Sequence, residues 1–457
     1  MDPSDPRFAT ELTVLAVRAP RREVGTLMGA LKKHAIARPR MHKVVHIGDE
    51  GEDVSEPGGA ARSVSEPESL ILLDEVSCSP SALLADLPPQ VTRAVGMHAL
   101  AQSEEGRSTT ALALAARSAG ADGDGQMAPR LVVHVIRTGY EDLSAEEALK
   151  RLMPPEVTVP TGFETAGHIA HLNLRAEHEP HKGAIAHVLL DKLPQIRTVV
   201  NKIAETGGPY RTFAMEVLAG EGGDVLETQV TENGLTYTLD FRAMYWNSRL
   251  GTERARLVES FGPDDVVLDL CCGVGPIALP AARSCRAVYA NDLNPDAVRY
   301  LLRNEQRNNK KKRLAGVTCM DARECVGLRI AEAGRGVEGE VDGGREDSQD
   351  RKHTPRFTQA VMNLPDGSLG LLDCFAGAFD RKIWPAHALP TINAYAFSKA
   401  ENPEADVGAA AAAALGLSPT AKALGDSVRY RRVRLVAPGK YMMLISFVLP
   451  EAAAYAS

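Results

Sequence analysis

The 457-residue chain contains no apolar run that approaches the roughly 18 residues needed to cross a bilayer, so no membrane-spanning segment is expected. Its first residues, MDPSDPRFATE, form neither the apolar stretch of a secretory signal nor the acid-poor, arginine-rich pattern of a transit peptide. We therefore expect a cytoplasmic, monomeric protein without a membrane partner. A nuclear fraction and a mitochondrial matrix pool stay open.

Cysteine pairs are also missing. The seven cysteines are odd in number and form no C-x-x-C motif, which argues against a disulfide framework and against a structural zinc site. His168 and His171 have no carboxylate or cysteine at ligand spacing, so we predict no metal and expect a structural role for them and for Asn173.

A strongly basic overall charge is absent as well, because the net charge is −7. The distribution is more informative than the sum. Residues 299–313 hold seven Lys or Arg against one Glu, and residues 429–440 hold five basic residues and no acid. Two basic patches on an acidic chain fit a nucleic acid that touches one face, although ordinary solvated surfaces would explain either patch alone equally well.

Low-complexity stretches divide the chain into three parts. Residues 1–130 predict an N-terminal α/β accessory domain with insertions at 49–68 and 103–126, and residues 131–250 a mixed α+β domain. Within the latter, Asn233-Gly234 between alternating runs predicts a hairpin. Residues 251–457 predict a third domain, with a disordered surface insertion at about 332–355.

The third part alternates strands and helices, which predicts a doubly wound α/β sheet. Asn294 and Pro295 form an N-cap and first-turn pair at the start of its second helix, and Ser368 is placed to cap a later one. Pro438-Gly439 joins two strand-like runs into a terminal antiparallel hairpin, the variant of this sheet found in methyltransferases.

A glycine loop follows the first strand of this domain, in the sequence VVLDLCCGVGPIALPAA. Gly273 and Gly275 allow the backbone to approach a ligand closely before a helix begins. A dinucleotide fingerprint would place a third glycine at Ala278. Some NAD-binding proteins accept alanine there, so the loop alone leaves NAD open.

Polar residues at four successive strand ends indicate which nucleotide-like ligand the loop binds. Ligands of this fold bind at the carboxyl ends of the strands, where we expect Asp269, Asp292, Asp321 and Asn363. A carboxylate after the second strand can accept ribose hydroxyls, and one after the third can accept an adenine amino group. This pattern predicts S-adenosylmethionine as the cofactor. The Asn-x-Pro at Asn363 to Pro365 is typical of enzymes that methylate planar nitrogens, although a capped turn is an alternative explanation.

Several longer motifs then resemble the archaeal and eukaryotic tRNA (guanine(37)-N(1))-methyltransferase family. They are HIAHLNLR, YRTFAMEVLAGE, DFRAMYWNSRLGTER, ANDLNPDAVRYLLRN, MNLP and VRLVAPGKYMMLISFVLP, from about residue 167 to residue 449. The resemblance implies methyl transfer to N1 of guanosine-37 in tRNA, with residues 131–250 contacting the tRNA.

The resemblance also implies roles for individual residues. Guanine N1 carries a proton, so its methylation needs a base near N1 and a cation near O6. Matching to the family gives Glu253 as the base, with a pKa that burial would raise, and Arg211 as the O6 partner. Pro365 shapes the slot for the base ring. The residues implied to contact the methyl donor are Tyr245, Arg254, Asp292, Leu293, Asp321, Ala322 and Asn363.

The chain departs from the family at three places. Cys271 and Cys272 replace an aromatic residue and an alanine, Arg254 replaces a frequent histidine, and Asp366 adds a carboxylate after the Asn-x-Pro motif. Two alternatives stay open: the related wybutosine-pathway aminocarboxypropyl transferase, and a catalytically idle RNA-binding protein. Which tRNAs are substrates, whether inosine is accepted and whether Mg²⁺ assists do not follow from the sequence.

Overall fold

The computed structural model describes residues 2–31, 35, 44–47, 68–73, 130–160, 162–203, 208, 210, 212, 214–309, 313–338 and 355–455. The chain divides into two compact units, Met1–Thr161 and Gly162–Ser457. The predicted insertions at 49–68 and 103–126 lie almost entirely outside the described residues. Within the described ranges, no helix combines the length and apolarity needed to span a membrane.

The first unit contains an antiparallel sheet of four strands in the order β2-β3-β1-β4. Its elements are β1 (Thr10–Pro20), α1 (Val24–Leu31), β2 (Val44–Ile47), β3 (Glu68–Leu72), β4 (Arg130–Thr138) and α2 (Ala145–Leu152). Because β4 pairs with β1 from Thr138 to Arg130, it belongs to this sheet. The division between the units therefore falls about thirty residues after the boundary at 130 that the sequence predicted.

The second unit begins with a sheet of order β5-β6-β7-β8 and a separate hairpin, β9-β10. The elements are β5 (Glu164–Ala166), β6 (Ile169–Leu172), α3 (Lys182–Lys192), β7 (Thr198–Lys202), β8 (Met215–Gly220), β9 (Glu227–Glu232) and β10 (Leu235–Asp240). Asn233 and Gly234 have φ angles of 49° and 73°, as a two-residue hairpin turn requires, so the predicted hairpin is confirmed.

A seven-stranded sheet forms the rest of this unit, in the order β13-β12-β11-β14-β15-β17-β16. All its strands run in the same direction except β17, which pairs antiparallel with β15 on one side and with its hairpin partner β16 on the other. The predicted doubly wound α/β sheet is confirmed. The elements are α4 (Gly251–Glu259), β11 (Val266–Asp269), α5 (Ala278–Ser284), β12 (Ala287–Asn291), α6 (Pro295–Asn308), β13 (Gly316–Thr318), α7 (Ala322–Glu338), β14 (Gln359–Met362), β15 (Thr391–Ser398), α8 (Pro403–Ala414), β16 (Arg429–Ala437), β17 (Lys440–Val448) and α9 (Glu451–Ala454).

Two hydrophobic cores cover the two faces of this sheet. Side chains alternate along a strand, so Val267 packs into one core and its neighbours Val266 and Leu268 into the other. The core around Val267 continues into Ile169 and Trp246, outside the seven-stranded sheet. The division that the sequence predicted at residues 250 and 251 therefore runs through a continuously packed unit.

Two asparagine side chains on α6 make the hydrogen bonds to the backbone of β10 that a neighbouring strand would otherwise make. Asn304 accepts a hydrogen bond from the Thr238 amide (2.8 Å) and donates to the Thr238 carbonyl (3.0 Å). One helical turn later, Asn308 makes the same two bonds to Thr236, at 3.1 and 2.8 Å. Residues i and i+4 on a helix meet residues i and i+2 on a strand edge, so side-chain amides satisfy backbone groups that would otherwise be buried unpaired.

Three local predictions can be compared with these elements. Asn294 caps α6 by accepting a hydrogen bond from the Asp296 amide (3.0 Å), with Pro295 at the first helical position, as predicted. The predicted loop at 332–355 was wrong at its start: α7 continues to Glu338, and the burial of Ala333 in the core stabilises its helical continuation. Ser368 was wrong as a helix cap, since its hydroxyl instead donates to the Met362 and Leu364 carbonyls.

We expect Asn304→Ala to lower the free energy of unfolding of the second unit by about 1–3 kcal/mol, because it leaves buried backbone groups unpaired. Both tryptophans of the chain, Trp246 and Trp384, lie in this unit. The midpoint of urea unfolding followed by tryptophan fluorescence therefore measures this unit alone. Gln306→Ala, at an exposed position of the same helix, is the control; equal midpoints for the two variants would contradict the pairing role.

Candidate active site

The polar residues predicted at strand ends lie at the carboxyl edge of the parallel strands. Asp269 is the last residue of β11, Asp292 follows β12, and Asn363 follows β14. Asp321 lies three residues beyond the end of β13, where α7 begins. Because these four strands are parallel neighbours, their ends meet at one edge and bring the four residues to the same side of the sheet.

The two glycines of the loop have different functions. Both have positive φ, 54° at Gly273 and 95° at Gly275. A Cβ on Gly273 would meet nothing within 4 Å, so this position borders open space. A Cβ on Gly275 would lie 2.5 Å from a methyl group of Leu301 and 2.8 Å from Leu279. Gly275 is therefore required by helix packing, and only Gly273 leaves room for a ligand against the backbone.

Asp292 connects the two loops that border this space. One of its carboxylate oxygens accepts from the Gly273 amide (2.7 Å) and the other from the Asn294 amide (2.9 Å). Burial raises its pKa, and these amide bonds oppose the shift. The next residue, Leu293, leaves 44% of its surface exposed, which is unusual for a leucine this close to a buried carboxylate.

Asp269 is a fully buried carboxylate that accepts no hydrogen bond from the described residues. Burial and, secondly, the nearby Asp292 carboxylate raise its pKa to about 7. The amides of Cys271 and Ala278 face it and oppose that shift, yet neither reaches its oxygens with the geometry of a hydrogen bond. A buried polar group with no partner among the described residues is costly, which is compatible with a site that a polar ligand completes.

Two asparagines make tertiary contacts that support this edge and that the sequence did not predict. Asn291, fully buried, donates to the Leu270 and Met320 carbonyls (3.2 and 3.0 Å) and so joins the ends of β11 and β13. Asn294 also donates to the Ala243 carbonyl (2.9 Å), which fixes the segment that carries Tyr245. The sequence signal was an asparagine on either side of an acidic strand end, in NDLN.

Asp321 and its neighbours begin α7. The Asp321 carboxylate accepts a hydrogen bond from the Arg323 amide (2.8 Å), and Ala322 is buried beside it. The Arg323 side chain pairs with Asp373. Asp321 therefore stabilises the start of the helix in addition to any contact with a ligand.

The Asn-x-Pro segment forms a tight turn after β14. Leu364 donates its amide to the Ser368 hydroxyl (3.1 Å), and the Pro365 carbonyl accepts from the Phe397 amide (3.2 Å) on β15. The Asn363 side chain is half-buried and makes no hydrogen bond within the described residues. Its amide is therefore available to a ligand, whereas the turn itself is held by its neighbours.

Glu253, the predicted base, is 6% exposed on α4. Arg256 donates to both of its oxygens (2.7 and 3.0 Å), Arg431 to one (2.7 Å) and the Tyr395 hydroxyl to the other (3.2 Å). Burial alone would raise its pKa, but the bonds from Arg256 and Arg431 outweigh burial and lower the pKa below the ordinary range. The expectation of a raised pKa was wrong, because it did not account for the i,i+3 partner Arg256 or for Arg431, which is distant in sequence.

Arg254, the neighbouring residue on α4, faces the hairpin. Its guanidinium donates to Glu232 (2.8 Å for the Nε bond) and to the Asn247 carbonyl (3.1 Å), and it lies 4.9 Å from the Trp246 ring centre. These contacts bind the hairpin to α4, and none of them involves the polar residues at the carboxyl edge of the parallel strands. The donor contact implied for Arg254 is untested. Tyr245 is 52% exposed, and its hydroxyl accepts from the Asn247 amide (3.1 Å).

The predicted basic patches are partly neutralised. On α6, Arg299 pairs with Asp296 and Arg303 with Glu227, while Arg313 lies 3.7 Å from Glu305. Residues 310–312 lie outside the described part, as does Arg211, so its role as the O6 partner stays a prediction. On β16, by contrast, Arg434 has no ion-pair partner among the described residues.

The two histidines of the HIAHLNLR motif make structural contacts. The His168 ring lies 3.2 Å from the Thr228 hydroxyl, and the His171 ring packs edge-on against Phe241 with centres 5.7 Å apart. Asn173 is exposed.

Burial raises the pKa of both thiols in the glycine loop, Cys271 and Cys272. Among the described residues, no group of three His, Cys, Asp or Glu could hold a metal ion.

We expect Asp269→Asn to stabilise the ligand-free protein at pH 8 relative to the wild type. The folded-state pKa of Asp269 is raised to about 7 from an unfolded value of about 3.9. Folding therefore loses stability as the pH rises between these values. The urea midpoint of the variant should match that of the wild type near pH 4 and exceed it above pH 7. Asp264→Asn, an exposed neighbour, is the control, and a pH-independent difference would contradict the assignment.

Family models and curated relatives show what this chain is similar to. Residues 145–223 match the TYW2 N-terminal domain, and residues 228–341 match the TRM5/TYW2 methyltransferase domain. A tRNA (guanine(37)-N(1))-methyltransferase 2 of Arabidopsis thaliana is 44% identical over 68% of this chain and 46% of its own length. The corresponding Phytophthora infestans enzyme is 39% identical over 71% and 72%, and that of Danio rerio 34% over 98% and 81%. The chain thus matches only about half the length of the Arabidopsis protein.

Solved structures share the fold. Trm5b from Pyrococcus abyssi is 19% identical, with a TM-score of 0.52 over 95% of this chain and 99% of that one. The aTrm5 chain solved in complex with tRNALeu is 16% identical, with a TM-score of 0.55 over 95% and 100%. The relatives that align over more than two thirds of their length, together with the matching domain model, show that this chain belongs to the TRM5/TYW2 methyltransferase family.

Proposed function

We propose that the chain transfers a methyl group from S-adenosylmethionine to N1 of guanosine-37 in tRNA. The observation that carries this proposal is the position of Glu253. Its partner Tyr395 lies two residues before Phe397 on β15, and Phe397 bonds to Pro365 of the Asn-x-Pro turn. Alternate residues of a strand share a face. A buried carboxylate and the proposed slot for a planar base are thus attached to the same strand.

The donor side of the proposal is supported by the carboxyl edge. The open space at Gly273, the unpartnered Asp269 carboxylate and the exposed Leu293 suit a ligand with both polar and aromatic parts. Asp292 and Asp321 retain unused oxygen lone pairs for hydroxyl and amino groups. Tyr245 and Asn363 complete the proposed set. When bound, S-adenosylmethionine supplies a methyl group on a cationic sulfur.

On the acceptor side, Glu253 takes the N1 proton, and Arg211 stabilises the charge that develops on O6. Removal of the proton makes N1 nucleophilic, and a cation at O6 stabilises the resulting anion. Asn363 and Pro365 hold the ring between the turn and the donor. This assignment is supported by the family membership and by the names of the curated relatives.

The family model is named for TYW2 as well as TRM5. The second candidate is therefore the aminocarboxypropyl transfer of the related wybutosine-pathway enzyme, which the sequence resemblance left open. The curated relatives at 34–44% identity cited above are named as methyltransferases, which favours methyl transfer. A tRNA transcript without modifications is incubated with labelled donor, and nucleoside analysis then distinguishes the two products directly. A transcript that carries no label after the incubation would support an idle RNA-binding protein.

We expect Glu253→Gln to slow methyl transfer by about 10²- to 10⁴-fold, the usual contribution of general base catalysis. Affinity for S-adenosylmethionine should stay within about twofold, because the proposed donor contacts do not include Glu253. Single-turnover formation of N1-methylguanosine and donor binding by calorimetry measure the two effects. Glu259→Gln, exposed on the same helix, is the matched control. An unchanged rate in Glu253→Gln would overturn the base assignment.

Salt dependence tests β16, which we call the basic strand because it carries Arg429, Arg431, Arg432 and Arg434. Binding to tRNA should weaken steeply with salt, because each neutralised phosphate releases counterions. Arg434→Gln should reduce the slope of log K against log salt by about 1. Arg299→Gln should reduce it less, because Arg299 is already paired with Asp296. Equal slopes for the wild type and Arg434→Gln, measured by filter binding, would remove Arg434 from the RNA contact.

A further inference from the structure

The carboxylate of Glu253 has no free position for a proton. A carboxylate offers about four lone-pair sites, and Glu253 accepts four hydrogen bonds: two from Arg256, one from Arg431 and one from Tyr395. The three donors come from three elements, α4, β16 and β15. A base with this environment cannot accept a proton until one donor leaves.

The three donors differ in how readily they can leave. Tyr395 is 1% exposed within the sheet. Arg256 is attached by two hydrogen bonds from the same helix, three residues after Glu253, and its side chain is 34% exposed. Arg431 makes a single bond from the edge strand, next to an irregularity in the pairing of β16 with β17, and its side chain is 50% exposed. Arg431 is the donor with the fewest constraints.

We propose that Arg431 is a positioning residue that holds Glu253 in place in the free protein and releases it when RNA binds. This inference rests on the proposed role of Glu253 as the base. RNA phosphates compete for the guanidinium, since Arg431 lies in the basic strand and is half exposed. Its departure uncovers one lone pair of Glu253 while Arg256 and Tyr395 keep the carboxylate oriented.

The chemical step then balances. The N1 proton passes to the uncovered oxygen of Glu253, the N1 electron pair forms the bond to the methyl carbon, and the carbon–sulfur bond breaks with its electron pair on sulfur. Loss of the Arg431 charge also makes Glu253 a stronger base, because a nearby cation stabilises its ionised form. Catalytic competence is in this way coupled to occupation of the basic strand by RNA.

The test compares Arg431→Gln with Arg432→Gln, which removes a neighbouring arginine of the same strand. The Arg432 side chain is also half exposed, but it pairs with Glu404 (3.5 Å) and not with Glu253. A short tRNA anticodon stem-loop, which offers the basic strand fewer phosphates than full-length tRNA does, and the full-length transcript are each used at a concentration that saturates methylation. The measurement is the single-turnover methylation rate from pH 5 to pH 9.

With the stem-loop, Arg431→Gln should move the acidic limb of the profile upward by about one pH unit, and Arg432→Gln should leave it unchanged. With full-length tRNA the acidic limbs of the wild type and of Arg431→Gln should coincide, because Arg431 is already displaced from Glu253 in the wild type. Arg431→Lys should restore the wild-type limb in part. Identical limbs for both variants on the stem-loop would overturn the proposal.

Failure of the proposed function gives a different pattern. If Glu253→Gln methylates as fast as the wild type, the base assignment is wrong and the comparison of limbs has no bearing on Glu253. If Glu253→Gln is inactive but Arg431→Gln and Arg432→Gln share the wild-type limb on both substrates, the base is correct and Arg431 does not control it.

Discussion

Parallel pairing of β13, β12, β11 and β14 is the constraint on which the site depends. It brings four chain segments, separated by up to 94 residues of sequence (from Asp269 to Asn363), to one edge with their carboxyl ends aligned. At that edge the backbone leaves the sheet, and the polar side chains lie beyond the ends of the two hydrophobic cores. The Asp269 carboxylate is the most constrained of them, since its burial and the neighbouring Asp292 keep its pKa near 7. A ligand that donates hydrogen bonds to these two carboxylates would offset the free-energy cost of burying them close together.

Much of the fold could be predicted because its signals are local. Asn294-Pro295 begins a helix and Asn233-Gly234 forms a hairpin turn for reasons contained in two residues each. The carboxyl-edge residues were also predictable, since the end of an apolar run marks the end of a strand. The limits of α7 were not, because the burial that stabilises residues 332 and 333 as helix arises only from tertiary packing.

The environment of Glu253 could be predicted only in part. Arg256 stands three residues after Glu253, a helical spacing at which opposite charges meet, so the sequence did contain that pair. Arg431 is 178 residues away, and only the pairing of β16 and β17 beside β15 brings it to α4. The basic stretch at 429–440 was interpreted as one surface for phosphates. The structure separates it into arginines with different partners: Arg431 with Glu253, Arg432 with Glu404, and Arg434 with neither.

The position of β16 at the end of the sheet has a consequence for solubility. An edge strand presents unpaired backbone groups that can template the addition of a strand from another molecule. Leu435 and Val436 would favour such pairing because both are exposed. Arginines along the strand and two irregularities in its pairing with β17 oppose it through charge repulsion and local twist. The arginines that we propose contact RNA phosphates thereby also oppose edge-to-edge association between copies of the protein, and we expect a variant that neutralised all of them to be prone to aggregate.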